Sequence, residues 1–223
     1  MNRTAILCVA ALSSMLGAQD LSSYRGFRLG TGLAAVAKQT GVNPASARVA
    51  HQRPARIEEL EWRPASSQQT GKTGVDPVRD GLLRFYKGEL FQIITTYDRQ
   101  RVEGMSDADM VKAISTIYGT ATTPVAASIP FRSNYGESAA VIARWENAEY
   151  SHNLVRTGDQ ASFALILSSK RLDALAQAAI LEALRLDVIE APQKAIDEQK
   201  KQDAGLRLVQ EKARSVNLPN FRP

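Results

Sequence analysis

One stretch of strand-forming residues is apolar on both faces, and it restricts the possible folds more than any other feature of the chain. Residues 81–98 read GLLRFYKGELFQIITTYD, with runs rich in aromatic and β-branched residues on either side of Lys87 and Gly88. This arrangement predicts an antiparallel hairpin with a two-residue turn. Because a helix covers only one face of a sheet, the second face of the hairpin must meet another part of the chain or a partner.

Pairing across the hairpin divides its apolar side chains between the two faces of the sheet. One face is expected to carry Leu83, Phe85, Leu90 and Ile94, and the other Leu82, Tyr86, Phe91 and Ile93. Aromatic side chains on a sheet form either a core or a surface that binds a partner. The candidate binding residues are therefore Trp62, Tyr86, Phe91, Ile93 and Tyr97.

A short helix is expected over residues 31–39, upstream of the first strand-rich region. Thr31 can cap this helix, Leu33, Val36 and Ala37 form its apolar face, and Gly41 can end it.

A second helix is expected between Ser106 and Gly119, and its ends carry stronger signals. Ser106 is a favourable N-cap, Asp107 and Asp109 suit the positive end of the helix dipole, and Gly119 ends the apolar stripe. The acidic pair therefore already has a role at the start of this helix.

Strand-like stretches follow each helix in a similar order. Residues 57–62 and the hairpin follow the first helix, and residues 139–145, 149–156 and 162–169 follow the second. This order predicts an α+β protein with two tandem helix-plus-antiparallel-sheet units.

The spacing along the chain agrees with a repeat. Gly41 and Gly119 are separated by the same number of residues as Phe85 and Phe163, although few residue identities match, and coincidence is the alternative. The expected organisation is a signal peptide (1–18), a first unit (19–100), a second unit (101–170), and a C-terminal helix with a polar tail (171–223).

The pattern of glycines around a short helix, a strand bearing Trp and a hairpin of the form F-x-x-G-x-L-x-x-I resembles the BamE-like (SmpA/OmlA) envelope domain. The residues that carry this likeness are Gly30, Gly41, Trp62, Phe85, Gly88, Leu90 and Ile93. Two such units in one exported chain, over about residues 24–168, are also similar to the beta-lactamase-inhibitor proteins. The resemblance implies a helix-on-sheet fold and the binding of another envelope or secreted protein. The chain departs from both families, because it lacks the lipid-anchor cysteine of the first and the disulfide cysteines of the second.

Residues 1–18 have the features of a signal peptide. Arg3 supplies a positive charge, residues 5–12 are apolar, and Ala18 follows small residues suited to cleavage. The run is shorter than the roughly 18 residues that cross a bilayer, so the mature chain is expected to lack a transmembrane segment and to be periplasmic or extracellular. A buried N-terminal helix is the alternative. The single cysteine, Cys8, lies in this run, which excludes disulfides and cysteine catalysis from a mature chain.

The formal net charge of +5 is small and dispersed along the chain. No cluster of Lys and Arg is interleaved with aromatic residues, so nucleic-acid binding is not expected. This small excess of positive charge favours at most a weak affinity for anionic envelope surfaces.

The sequence contains no combination of residues that points to a cofactor, a metal or a catalytic site. The two histidines, His51 and His152, occur in a proline-containing loop and on a strand, which does not favour a shared metal site. Residues 66–74 (SSQQTGKTG) lack the first glycine and the flanking strand and helix of a phosphate-binding loop. Glu59 alternates with Leu60 as on an exposed strand face, so a pair of catalytic carboxylates with Glu58 is not favoured.

The C-terminal part begins as a helix at Arg171, with apolar residues at helical spacing. Pro192 is expected to break or restart this helix, because proline cannot donate a hydrogen bond within it. The residues beyond are mixed in charge, which predicts a solvated helix that frays into a loose end. The alternative is a tail that folds on a partner through Leu206, Leu208 and Val209.

Together these features indicate an exported, non-catalytic module that binds another envelope or secreted protein. The alternative is a small ligand-binding protein or hydrolase that uses the cleft between the two units. Arg144, Tyr150 and His152 would then be the first polar groups of that cleft.

Overall fold

A computed structural model describes residues 20–64, 76–124, 128–130, 138–156, 162–220 and 222. The expected signal peptide at 1–18 and the polar stretch at 66–74 lie outside the described residues. Within the described ranges the chain combines helices with antiparallel sheets, as the sequence predicts for an α+β protein.

The described residues form ten strands and three α-helices, and eight of the strands make up one antiparallel sheet. The strands are β1 (Ser23–Tyr24), β2 (Phe27–Arg28), β3 (Arg48–His51), β4 (Ile57–Trp62), β5 (Val78–Tyr86), β6 (Glu89–Tyr97), β7 (Ser128–Pro130), β8 (Ser138–Glu146), β9 (Tyr150–Arg156) and β10 (Phe163–Ser169), and the helices are α1 (Leu33–Thr40), α2 (Asp107–Tyr118) and α3 (Lys170–Asn217). The main sheet has the order β3-β4-β5-β6-β10-β9-β8-β7, and β1 and β2 form a separate hairpin. The pairing of β6 with β10 therefore joins the two strand-rich regions at the centre of the sheet.

The hairpin of β5 and β6 turns at Lys87 and Gly88, as predicted. Both residues have a positive φ, of 50° and 83°, which is the geometry of a turn that matches the twist of the flanking strands. Glycine adopts this conformation without strain, so the position of Gly88 is explained by the turn.

A bulge in β6 changes the expected division of residues between the two faces. Phe85 lies opposite Leu90, whereas Arg84 lies opposite Gln92, so Phe91 is an extra residue. An extra residue reverses the alternation of every residue that follows it. Ile93 therefore faces the same side as Leu90, and Ile94 faces the other side, which is the reverse of the expectation.

One face of the sheet is covered by α1, α2 and the N-terminal hairpin. Val36 of α1 and Met110 of α2 are buried in the same apolar cluster as Leu83 and Phe85 of β5. The predicted ends of both helices are confirmed in part: Ser106 caps α2 in a reciprocal capping box, whereas Gly32, not Thr31, caps α1.

The opposite face of the sheet contacts the first turns of α3. Leu172, Ala176 and Ile180 bury Ile57 of β4 and Phe91 of β6 in a second apolar cluster. The hairpin that is apolar on both faces is thus covered on its second face by the chain's own C-terminal helix.

The expectation that Pro192 breaks this helix is wrong. α3 continues from Lys170 to Asn217 with Pro192 inside it. Lys194 forms ion pairs with Asp187 at 3.2 Å and with Glu190 at 3.5 Å, so side-chain contacts span the turn in which proline removes a backbone hydrogen bond. Beyond Pro192 the expected solvated helix is present, and it continues to Asn217 with residues 191–217 exposed.

Candidate functional site

The five candidate binding residues do not form one exposed surface. Phe91 and Ile93 are fully buried and Tyr97 is 9% exposed. Trp62 and Tyr86 are partly buried, but they belong to different faces of the sheet. Trp62 contacts Phe27 edge-to-face with ring centroids 5.0 Å apart, so its ring is part of the packing below α1 and α2.

His152 lies in the core, on the helix-covered face of the sheet. Its side chain is 0% exposed, its Nε2 donates to the carbonyl oxygen of Leu21, and its ring meets that of Tyr118 edge-to-face at 4.4 Å. Burial lowers the pKa of His152 to about 4, against the smaller opposing effect of its hydrogen bond to Leu21. Tyr150 packs against the same core. Of the three polar groups named for the alternative function, only Arg144 lies on the other face, which is the face of α3.

A polar cleft of about 390 Å³ lies on the α3 face, between that helix and the second half of the sheet. Both halves of the sheet and the first two turns of α3 contribute side chains to it. The polar lining residues are Arg84, Gln92, Arg144, Glu146, Ser151, Asn153, Ser168, Lys170, Asp173 and Gln177.

A chain of hydrogen bonds crosses the floor of this cleft. Arg84 donates from Nη1 to Oε1 of Gln92 at 2.9 Å, and Gln92 donates from Nε2 to Oγ of Ser168 at 3.1 Å. All three residues are buried, and they lie on β5, β6 and β10. These hydrogen bonds therefore link the two halves of the sheet through polar side chains.

Glu59 lies at one end of this chain and is buried, although the sequence predicted an exposed position. Its Oε1 is 3.3 Å from Nε of Arg84, and its Oε2 pairs with Arg48. Two guanidinium groups thus compensate the burial of this carboxylate. Glu58 pairs with Arg56 instead, so each of the two neighbouring carboxylates has a guanidinium partner of its own.

The other side of the cleft carries charged groups with partners of their own. Arg144 donates from Nε to Oδ1 of Asn153 at 2.7 Å, and Lys170 pairs with Glu146 at 2.7 Å. Burial raises the pKa of Asp173, a hydrogen bond from Gln177 and the charge of Arg84 acting in the opposite direction. Such a lining suits a small polar molecule better than an apolar one.

Arg144 is the only cleft residue that the sequence identified. The missed residues do carry a signal, because Arg84 and Gln92 are single polar residues within the strand stretches LLRFY and LFQII, and Ser168 directly follows the apolar run ALIL. A polar residue inside a buried strand requires a hydrogen-bond partner, which points to a cluster of such residues.

The second prominent feature is the half of α3 that leaves the sheet. Among the described residues, the last ion pairs that join α3 to the rest of the fold are those of Arg53 with Asp187 and Glu190. Residues 191–217 are all exposed. At 1.5 Å per residue, this segment extends roughly 40 Å beyond the body of the protein.

A stripe of uncharged residues runs along one side of the projecting segment. Nine positions alternate in steps of four and three residues, and we call them the seam: Val188, Pro192, Ala195, Gln199, Gln202, Leu206, Val209, Ala213 and Val216. Every Lys, Arg, Asp and Glu of residues 191–217 lies outside the seam. Val188, Leu206, Val209 and Val216 are between 57% and 75% exposed. This is the spacing by which helices pair in coiled coils.

The three residues that the sequence suggested as partner contacts of the tail do not all lie on the seam. Leu206 and Val209 belong to the seam. Leu208 is 68% exposed but follows Leu206 by two residues, so it lies on nearly the opposite side of the helix.

No family model matches the chain, and neither a curated protein nor a solved structure shows significant similarity to it. In the described part of the chain, no helix has both the length and the apolar character to span a bilayer. Within the same residues, no three His, Cys, Asp or Glu side chains come together as a metal site would require.

Proposed function

We propose that this chain is a non-catalytic protein-interaction module of the cell envelope or the secreted fraction, exported after cleavage near Ala18. Its binding element is the projecting half of α3. The observation that carries the proposal is the seam, an exposed and uncharged stripe on a helix that has left the body of the protein.

A helix of this kind needs a partner for physical reasons. Isolated helices derive little stability from local propensity, and most helices in proteins are held by the packing of one apolar face. Leu206, Val209 and Val216 expose such a face to water. A second helix laid along the seam would bury these side chains and leave the charged residues in solvent, so the proposed partner is an α-helix.

We further infer that residues 19–100 and 101–170 are two related units that serve as a scaffold for α3. The strand order supports this inference, because β3 to β6 succeed each other from one edge of the sheet toward its centre, and β7 to β10 do so from the other edge. Each set of strands also follows a short helix in the chain, and both helices pack on the same face. We include in this proposal that the two units are related to the BamE-like domain or to the beta-lactamase-inhibitor proteins.

Site-specific photocrosslinking in cells tests the interaction. A photoreactive amino acid replaces Leu206 or Val209 in the seam, and Leu208 serves as the matched control, since it is equally exposed on the other side of the same helix. We expect a discrete adduct from positions 206 and 209 and none from 208. Equal adducts from all three positions, or none from any, would contradict the proposal.

The polar cleft supports a second candidate function, the binding of a small polar ligand. The converging side chains of Arg84, Arg144 and Asn153 favour it. The test is thermal unfolding of the protein with a panel of amino acids, sugars and small carboxylates, because a ligand that binds the folded state raises the unfolding temperature. A ligand that stabilises the wild type and the Arg185→Leu control, but not Arg144→Leu, would support the cleft. The absence of any stabilising compound, or equal stabilisation of both variants, would count against it.

A further inference from the structure

We propose that the helix bound by the seam is α3 of a second copy of this chain, paired in the antiparallel direction. This inference rests on the proposed function and identifies its partner. The argument comes from the residues that flank the seam, because these residues determine the orientation of paired helices.

Parallel pairing is disfavoured by charge. In a parallel pair, the residue before one seam position faces the residue five places later on the other helix, so Glu198 would face Asp203 of the second copy. Symmetry repeats this contact, and two like-charged pairs result. Lys212 would face Asn217, which offers no compensating charge.

Antiparallel pairing reverses this outcome. In the register that places Gln202 opposite Leu206 of the second copy, Glu198 faces Lys212 of that copy, and symmetry again makes two such pairs. Asp203 meets Asp203 of the second copy at one place, so two attractive contacts stand against one repulsive contact. Apart from its chain neighbours and the backbone of its own helix, no described atom lies within 4 Å of the position that a Cβ of Gly205 would occupy, which leaves space for a second helix beside it.

The overall charge of the segment is compatible with self-pairing. Residues 191–217 contain six Lys or Arg and four Asp or Glu, so two copies carry little net repulsion. Gln199 and Gln202 interrupt the apolar seam with uncharged polar groups. Such positions reduce the affinity between paired helices, so we expect a weak dimer.

Sedimentation equilibrium of the full purified chain, from a few micromolar to a few hundred micromolar, tests the proposal. We expect a monomer–dimer equilibrium. The variant Leu206→Asp/Val209→Asp should remain monomeric, and Leu208→Asp should retain the wild-type dissociation constant. A dimer that is insensitive to the seam variant would overturn the proposal, since another surface would then form it.

A charge reversal tests the orientation. Glu198→Lys or Lys212→Glu alone should weaken the antiparallel dimer about tenfold, and the double variant should restore it. A parallel dimer would be strengthened by Glu198→Lys, because the new lysine would face Asp203. Oxidation of a Gly205→Cys variant should form a covalent dimer that Ala204→Cys does not form.

The outcomes separate this inference from the proposed function. A chain that is monomeric at every concentration, but forms a crosslink of different mass from position 206, would overturn self-pairing and leave the interaction module standing. A monomer without seam crosslinks would overturn both.

Discussion

His152 on β9 donates a hydrogen bond from Nε2 to the carbonyl oxygen of Leu21, and the two atoms are 2.9 Å apart. This contact connects β9 with the segment that precedes the hairpin of β1 and β2. Nδ1 of His152 has no hydrogen-bond partner in the described structure, so the buried ring is neutral and carries its proton on Nε2.

The neutral state of His152 predicts a loss of stability in acid. Its pKa of about 4 in the folded protein lies below the ordinary value of 6.5, so the unfolded chain binds the proton more readily. The free energy of unfolding should therefore fall as the pH decreases from about 6.5 to 4, by roughly 3 kcal/mol at most. Urea unfolding of the wild type and of His152→Gln across this range measures the effect.

The variant serves as the reference, because carboxylates also titrate in this range. The difference in unfolding free energy between the two proteins should stay constant above pH 7 and decrease toward pH 4. A difference that does not change with pH would contradict the buried, neutral histidine.

Phe91→Ala should destabilise the fold rather than only a binding surface. Its ring is fully buried against Leu172 and Ala176 of α3, and truncation of a buried phenylalanine costs about 3 to 5 kcal/mol. Chemical denaturation of this variant and of Leu181→Ala, which is exposed on the same helix, measures the contrast. A change below 1 kcal/mol in Phe91→Ala would show that α3 does not pack on the bulge of β6.

Two glycine-to-alanine substitutions should have opposite effects on stability. A Cβ at Gly81 would lie 2.7 Å from Cε3 of Trp62, so Gly81→Ala displaces the indole and should cost about 1 to 3 kcal/mol. Gly205 is in an exposed helix with free space around it, and Gly205→Ala should stabilise α3 by up to about 1 kcal/mol. Tryptophan fluorescence and thermal unfolding report the two changes. A neutral Gly81→Ala would contradict the close approach of Trp62.

Local chemistry predicted the elements whose signals are contained in a few neighbouring residues. The turn at Lys87 and Gly88 and the capping box of Ser106 and Asp109 are of this kind. The bulge at Phe91 is different, because it depends on how β6 pairs with its neighbours and not on its own pattern. Only the register between β5 and β6 shows that Ile93 and Ile94 lie on the faces opposite to those expected.

The polar cleft was also beyond the sequence patterns, since its contacts join distant segments. Gln92 and Ser168 are 76 residues apart in the chain and meet only because β6 pairs with β10. The prediction that Pro192 breaks the helix considered the proline alone. The ion pairs of Lys194 and Arg53 with α3 residues just before the proline were not visible in the local pattern. The contact of Gln92 with Ser168 and the ion pair of Arg53 with Asp187 both join segments that are distant in the sequence.

The buried pair of Glu59 and Arg84 should show strong coupling. Their side chains are 2% and 8% exposed, and Arg84 connects Glu59 to the hydrogen-bond chain of Gln92 and Ser168. Arg84→Leu should cost about 3 kcal/mol or more, because it leaves the buried carboxylate with less positive charge beside it.

A double-mutant cycle with Glu59→Leu isolates the contribution of the pair. The double variant should be more stable than the sum of the single losses implies, by about 1 to 3 kcal/mol, since it removes the buried charge together with its partner. Arg79→Leu, which alters an exposed ion pair with Asp80, should change stability by less than about 1 kcal/mol. Additive losses in the Glu59 and Arg84 cycle would mean that Arg48 alone compensates the carboxylate.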